Sequence, residues 1–487
     1  MVDPGLGRSG CESASWGMAC LQGLQRSVRL KFLQGLALLV MPILSAPVSV
    51  AYAYPSLQPL IDKADPKGTL VPPPGIYSGP VTIKSPLTLD GKGKVTIDAA
   101  GKGSVIYLKT DGATLMNLHL RNSGESHNDL DSGVQVRGDF NVLKGLEITN
   151  TLFGIDLKQS SNNIVKQNHI TPRSFPLGIR GDAIRLWYSF GNQVTDNVIR
   201  NARDDVVWYS KDNLIARNDV RGGRYALHFM YSKHNEVIDN HFEHNAVGVF
   251  LMYSDGVVLR RNTIAYSNGV TGMGVGFKES SDVELTNNQI LHCAKGVYLD
   301  VSPYQPGTTN RFRNNVIAYS NIGILFLNDW QGNILTGNSF KGNITQVAVS
   351  GRGKTANRNV WKGNYWDDYR GFDQDGNGIG DKPYELYSYA DRIWLDVPPA
   401  QFFQGTPVLE VIDFLERLAP FNKPNMLVRD ERPLMLAETA EISPLATPKQ
   451  SAPTPSVGGV KSGKPPAFDA YKALLDSLGR NPGGNEP

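Results

Sequence analysis

The sequence predicts an all-β protein, a right-handed parallel β-helix whose coils are about 22 residues long. Three observations predict it. A unit repeats through the middle of the chain, as in AIRLWYSFGNQVTDNVI from Ala183, DDVVWYSKDNLIARNDV from Asp204, ALHFMYSKHNEVIDNHF from Ala226 and GVFLMYSDGVVLRRNTI from Gly248. One asparagine returns with the unit, at Asn168, Asn197, Asn218, Asn240, Asn262, Asn288, Asn315, Asn338 and Asn364. Glycine is abundant (50 residues) and only 20% of residues are charged, which suits a turn-rich β protein better than a helical one.

Each unit reads as a short strand, a serine, a polar turn, a second strand, the asparagine and a third strand. Such strands are too short to bury a core alone, so stacked coils must share one. Steps of 21 to 29 residues between the asparagines fall in the solenoid range. Crossovers between parallel strands are right-handed. Asparagine suits the corners because it tolerates left-handed backbone angles, and stacked amides can bond along the axis. The leucine-rich repeat shares this period, but its L-x-x-L-x-L frame is absent.

The elements follow in order. Residues 1–53 read as a signal peptide: Arg26, Arg29 and Lys31, an apolar run from Phe32 to Leu44, then Ala51-Tyr52-Ala53. Cleavage near Ala53 would export the rest. Cys11 and Cys20 would leave with it, so Cys293 is the one thiol expected in the mature chain and a large core must hold the fold. Residues 54–366 form the β-helix. Residues 367–400 are an Asp/Gly-rich capping loop, and 401–436 a C-terminal helical segment, from the helical spacing in TPVLEVIDFLERLAPF. Residues 437–487, rich in Pro, Ser, Thr and Gly, are expected to be a disordered tail. A formal charge of +3 with no long basic run argues against nucleic acid.

In DDYRGFDQDGNGIGDKPYEL, Asp373, Asp375, Asn377 and Asp381 fall at positions 1, 3, 5 and 9 of an EF-like loop, with Gly378 at the sharp turn. Oxygen ligands at two-residue steps wrap a hard cation, so a structural Ca²⁺ is expected. Position 12 is Tyr384, where a bidentate Glu would stand. An Asx-rich turn held by its own backbone bonds is the alternative reading. In either case the loop should close the last coil.

The run GNYWDDYRGFDQDGNGIGDKPYEL, the FLERLAP stretch and ERPLML near Glu431, on a Ser/Asn-cornered β-helix, resemble the NosD family. The resemblance covers about Pro55 to Leu436 and implies a periplasmic, non-enzymatic maturation factor for the tetranuclear copper–sulfide site of nitrous oxide reductase, and so a role in denitrification. It also implies partners: the membrane and ATPase subunits of an ABC transporter, a copper-carrying lipoprotein chaperone and the apo-reductase. The chain has no G-x-x-x-x-G-K-[ST] phosphate loop, so another chain must bind ATP.

In the repeat register, Ile184 and Leu186 point inward while Arg185 and Trp187 point out. One outward column reads Trp187, Trp208, Met230, Met252 and Lys278; its neighbour reads Arg185, Val206, His228, Phe250 and Gly276. Two thioethers and an imidazole at His228, Met230 and Met252 suit transient Cu⁺ by softness. Trp187, Trp208, Met230, Met252 and Phe250 equally suit a partner-docking face, or packing under another segment. Cys293 aligns with Asn245, Ser267 and Ser320 in a corner stack. A different class of function is also open: a polysaccharide lyase, C5-epimerase or hydrolase acting on a uronate polymer, with His127, Asp129 and Asp131 as its acid–base cluster.

Overall fold

A computed structural model describes residues 54–351, 355–388 and 425–437, with isolated positions between 406 and 418. The proposed signal peptide and nearly all of the proposed tail lie outside the described residues. The rest is a parallel β-helix of the right-handed type. A typical coil gives one strand to a 12-stranded parallel sheet, running from Val81–Ile83 to Thr345–Ser350, and two to a 24-stranded sheet.

Strand alternation explains the core. Leu186 pairs with Val207 in the next coil, then Phe229, Leu251, Phe277 and Leu299 follow in register, all buried. Burying each such side chain stabilises the fold by about 1.5–3 kcal/mol. A hydrogen-bonded partner lies above and below each inner coil, so these short strands need no hairpins.

The recurring asparagine forms a continuous buried ladder. From Asn168 to Asn338, each Nδ2 donates to the Oδ1 of the next asparagine at 2.9–3.0 Å. Each Oδ1 also accepts the main-chain N–H of the asparagine before it, as Asn240 does from Asn218 at 2.9 Å. The ladder residues are not the left-handed ones, contrary to the expectation. The left-handed position is one residue earlier, at Asp196 (φ 60°), Arg217 (φ 54°), Asp239 (φ 58°) and Arg261 (φ 54°). That residue turns the chain outward and lets the asparagine amide point into the stack.

Both ends are closed. At the start, the short helix Gln58–Asp62 brings Leu57 and Ile61 onto the core, and the Gln58 amide bonds both the N–H and C=O of Thr82, at 2.7 and 2.9 Å. At the far end the last coil strand is Tyr365–Trp366. Trp366 is sandwiched between Phe340 and Tyr384, with 4.3 Å between ring centroids on each side. Leu434 then bridges Tyr365 on one side and Ile379 on the other.

The expected helical segment 401–436 is corrected over its last part. Asn425–Asp430 is a strand, antiparallel to Tyr384–Ser388. Its Leu427 and Val428 are buried against the end of the core, and Asp430 is buried as well.

Candidate functional site

The outer face of the 12-stranded sheet holds an unusual set of side chains. Trp187 pairs with Trp208, Trp208 with Met230, Met230 with Met252, and Met252 with Lys278. Beside them run Arg185, Val206, His228, Phe250 and Gly276 in the same register. Both expected columns are therefore present as read from the repeat.

Their exposure differs along the face. Trp187, Trp208 and Met230 are half-buried, but Phe250 and Met252 are only 4% and 6% exposed. Phe250 and Met252 therefore do not belong to an open docking surface. They pack with Tyr225, Val247 and Met273 in an outer apolar cluster, with Met230, Tyr253 and Tyr298 against it. Gly276 makes this packing possible: a Cβ there would lie 2.4 Å from the Phe250 ring and 2.6 Å from Met273 Sδ. Met273 carried no signal in the repeat, because it sits in the corner column with Tyr225 and Val247 rather than in the aligned pair.

His228 lies at the edge of this cluster. Its ring stacks on Tyr225 at 4.7 Å and meets Trp208 edge-on at 5.8 Å. Neither ring nitrogen has a hydrogen-bond partner, and the Trp208 Nε1 is also buried without one. Burial, helped by the Arg224 and Arg203 cations, pulls the imidazole down to about 4 against the opposing pull of Asp204. The ring is thus neutral at ordinary pH, with a free lone pair, a state that costs stability in a dry site unless something binds it.

A charged cluster adjoins the site. Arg224 donates to both carboxylate oxygens of Asp204, and Arg203 Nε donates to Asp182 Oδ1 at 3.0 Å. Arg185 lies 4.7 Å from the centre of the Trp187 ring. Between Asp204 and Val206 the register shifts, the single residue Asp205 standing against two, Ala226 and Leu227, on the next strand, and the Asp205 Oδ1 accepts the Ile184 N–H at 3.0 Å. Burial pushes Asp182 up to about 6 despite Arg203, and holds Asp205 well above the usual carboxylate range.

The Asp-rich loop stands at the capped end, away from this face in sequence and sheet. Asp373 accepts the N–H groups of Asn377 and Gly378 at 3.1 and 2.8 Å, and Asp381 that of Gln374 at 2.7 Å. Asn377 donates to Asp375 and accepts from Ile379. The Gly378 N–H lowers the pKa of Asp373. Gly378 sits at φ 82°, the left-handed turn only glycine takes freely. Tyr384, where a calcium ligand would be, is buried as the plug on Trp366, and its hydroxyl donates to Asp368 at 3.1 Å. Core packing explains the residue that the calcium pattern could not. Gly380 donates to the Pro433 carbonyl and Met435 to that of Gly378, so the loop is tied to the chain that covers the last coil.

The remaining candidates are spread apart. Cys293 occupies the corner stack, its N–H donating to Ser320 Oγ at 3.2 Å, and burial pushes its thiol up to about 11. A thiol so protonated is a poor soft-metal ligand. Asp129 accepts from Ser126 Oγ at 2.7 Å and Asp131 from the Ser126 N–H at 2.9 Å, while the His127 ring meets Phe153 edge-on. These groups hold their own insertion in shape. Among the described residues no three His, Cys, Asp or Glu side chains form a metal-holding group, and no helix is long and apolar enough to cross a membrane.

The sequence model of the family described as "Periplasmic copper-binding protein (NosD)" matches residues 171–371. The chain is 28% identical over 388 residues to the "Probable ABC transporter binding protein NosD" of Pseudomonas aeruginosa, covering 76% of this chain and 89% of that one. It is 27% identical over 405 residues to the protein of the same description from Stutzerimonas stutzeri, covering 76% and 87%. Among solved structures, it is similar to the A-module of the Azotobacter vinelandii mannuronan C-5 epimerase AlgE6, at 16% identity and a TM-score of 0.49, over 62% of this chain and 93% of that one. Over residues 171–371 the chain is therefore similar to the NosD family, and both relatives carry that family's name.

Proposed function

We propose that the protein is an exported, periplasmic, non-enzymatic component of an ABC-transporter-linked system that matures the copper–sulfide centre of nitrous oxide reductase. In this reading the signal peptide is removed near Ala53, and the solenoid presents one face to the apo-reductase or to a copper-carrying chaperone. Separate membrane and ATPase chains supply the transport cycle. Similarity to the NosD family supports the periplasmic, copper and transporter parts of this reading, since the family description and the relatives' names carry those words. The single observation that carries it is the outer face itself, where aromatic and thioether side chains surround a buried imidazole with no partner.

The residues that the sequence offers for polymer cleavage do not form the arrangement such chemistry needs. Proton abstraction beside a sugar carboxylate requires a base and an acid flanking one carbon. Asp129 and Asp131 are instead bonded to Ser126 within their insertion, and the His127 ring lies edge-on against Phe153. At the C-terminal end of the solenoid, the Asp373–Asp381 loop serves as its cap, and we assign it a structural Ca²⁺.

The docking part is tested by co-purification of apo-reductase with the wild type and with a W187A/W208A double variant. The half-buried tryptophans should contribute most, as aromatic anchors do at interfaces, and the variant should lose about tenfold or more in affinity. Undiminished association would remove the face from the docking role. Incubation with alginate or pectin tests the alternative class: turnover would replace this reading with an enzymatic one.

A further inference from the structure

We propose that a row of cations on the first coils, Lys84, Lys109, Arg137 and Lys158, makes the outer face of the 12-stranded sheet a docking surface for a folded protein that is acidic at one end of its contact and apolar at the other. This rests on the docking reading above and names the chemistry of the partner.

Register builds the row. Ile83, Leu108, Val136 and Leu157 are buried partners in successive coils. The next residue of each path turns outward, so Lys84, Lys109, Arg137 and Lys158 share one column, and Lys158 pairs directly with Trp187. The same column runs on through Trp208 and Met230. Unequal steps of 25, 28 and 21 residues between the four cations conceal the row in the sequence. Lys84, Lys109 and Lys158 are exposed and Arg137 is half-buried. The buried Asp156 holds Arg137 Nη2 at 2.7 Å, but none of the three lysines has an ion-pair partner among the described residues. Lys109 Nζ lies 5.6 Å from the centre of the Tyr107 ring. The carboxylates nearest in sequence, Asp111 and Asp139, accept the main-chain N–H groups of Asp139 and Ser161 at 2.7 Å each, which ties them along the corner.

Like charges on neighbouring strands, about 4.8 Å apart, are destabilising. The row is therefore a cost to the free fold that an anionic partner offsets. Two features of the line select the class of partner. Its character changes along its length, from four cations to Trp187, Trp208 and the half-buried Met230. A uniform polyanion, such as a uronate polymer, would meet cations along only half of it. An anionic lipid surface is a plane, and would press on Asp111 and Asp139 beside the row. A folded protein can set carboxylates next to an apolar patch. The length also fits: six coil steps from Lys84 to Met230 span about 29 Å, close to the width of a standard interface patch of about 800 Å² per partner. Trp, Met and Arg are the residues that interface cores favour. The lysines then govern approach, and the tryptophans govern release.

The test is the association kinetics of the purified exported chain with apo-nitrous oxide reductase and, separately, with the copper-carrying chaperone freed of its lipid, at low and at high salt. K84E/K109E/K158E should slow association with at least one of them by about tenfold or more at low salt. The difference should close at high salt, and dissociation should change little. K84Q/K109Q/K158Q should show a smaller loss of the same sign and melt no lower than the wild type, because the lysines repel one another. W187A/W208A should instead speed dissociation. The proposal is overturned by a wild type that binds neither protein, by lysine variants that bind both at wild-type rates, or by a loss that persists undiminished at high salt. Lysine variants that lose affinity for polygalacturonate or for anionic vesicles, but for neither protein, overturn it as well. In any of these events, reductase that is copper- and sulfide-deficient in cells lacking the chain would show that the row alone has failed, whereas reductase with full copper and sulfide would show that the underlying reading has.

Discussion

Asp430 stands where the next asparagine of the ladder would stand above Asn364. Its Oδ2 accepts both the main-chain N–H and the side-chain Nδ2 of Asn364, at 2.9 Å each. Its Oδ1 accepts the Gly363 N–H at 2.9 Å. An asparagine at this end would need a further acceptor for its own amide; a carboxylate accepts only, and so terminates the stack. The D430A variant leaves at least two buried donors unsatisfied and should destabilise the protein by about 3 kcal/mol in urea unfolding, from a cost of about 1–3 kcal/mol per orphaned group. D430N should cost less, because one carbonyl oxygen remains.

The ladder predicts a similar penalty in mid-solenoid. Asn240 accepts from Asn218 and donates to the Ile215 carbonyl and to Asn262. N240A breaks all three and leaves acceptors and donors buried, so a loss of about 3 kcal/mol is expected. Hydrogen exchange should show the opening centred on the coils that hold Asn218 and Asn262, since each coil touches only its neighbours. An exposed-corner change such as Lys233→Ala should be silent by the same measures.

Stability should carry the signature of a buried acid. Asp182 is held up at about 6 by burial, above its ordinary value of 3.8. The folded state therefore holds the proton more tightly than the unfolded one. The sign follows: this contribution is fully present below pH 3.8 and is lost as pH rises through about 6. Relative to the wild type, D182N should gain up to about 3 kcal/mol between pH 4 and pH 7, at about 1.4 kcal/mol per pKa unit. The difference between the two unfolding curves against pH reads this shift, with the Arg203 attraction for the ionised carboxylate already included in it.

The capping loop makes a metal prediction. With Ca²⁺ bound at Asp373, Asp375, Asn377 and Asp381, melting of the wild type should fall by several degrees on adding a chelator, and D373N/D375N should not respond. Stability unchanged by chelator in the wild type would assign the loop wholly to its own hydrogen bonds, such as that from Gly378 to Asp373.

Much of the solenoid was legible because its physics repeats. Asn197, Asn218 and Asn240 recur with flanking apolar alternation, so coil length, strands per coil and the column register of the middle coils follow from the sequence, while the irregular first coils give no register. What did not repeat was not legible. Asp430 closes the ladder from 66 residues downstream of Asn364 and looks like any acidic residue in its local sequence. Tyr384 read as a defect in a calcium pattern and proved to be an aromatic plug on Trp366. Columns gave His228, Met230 and Met252 the same outward direction, yet could not say that Gly276 lets Phe250 and Met273 fold over the face and bury part of it. Direction follows from strand period, whereas burial depends on what neighbouring columns leave empty.

The function proposed above makes this chain necessary for building a copper centre in another protein. Its most direct test is the copper and sulfide content of nitrous oxide reductase purified from cells lacking the chain, beside cells with the gene restored. The expected result is a folded reductase without its tetranuclear copper–sulfide site, recovered on restoration. A reductase with full copper and sulfide in the absence of the chain would contradict it.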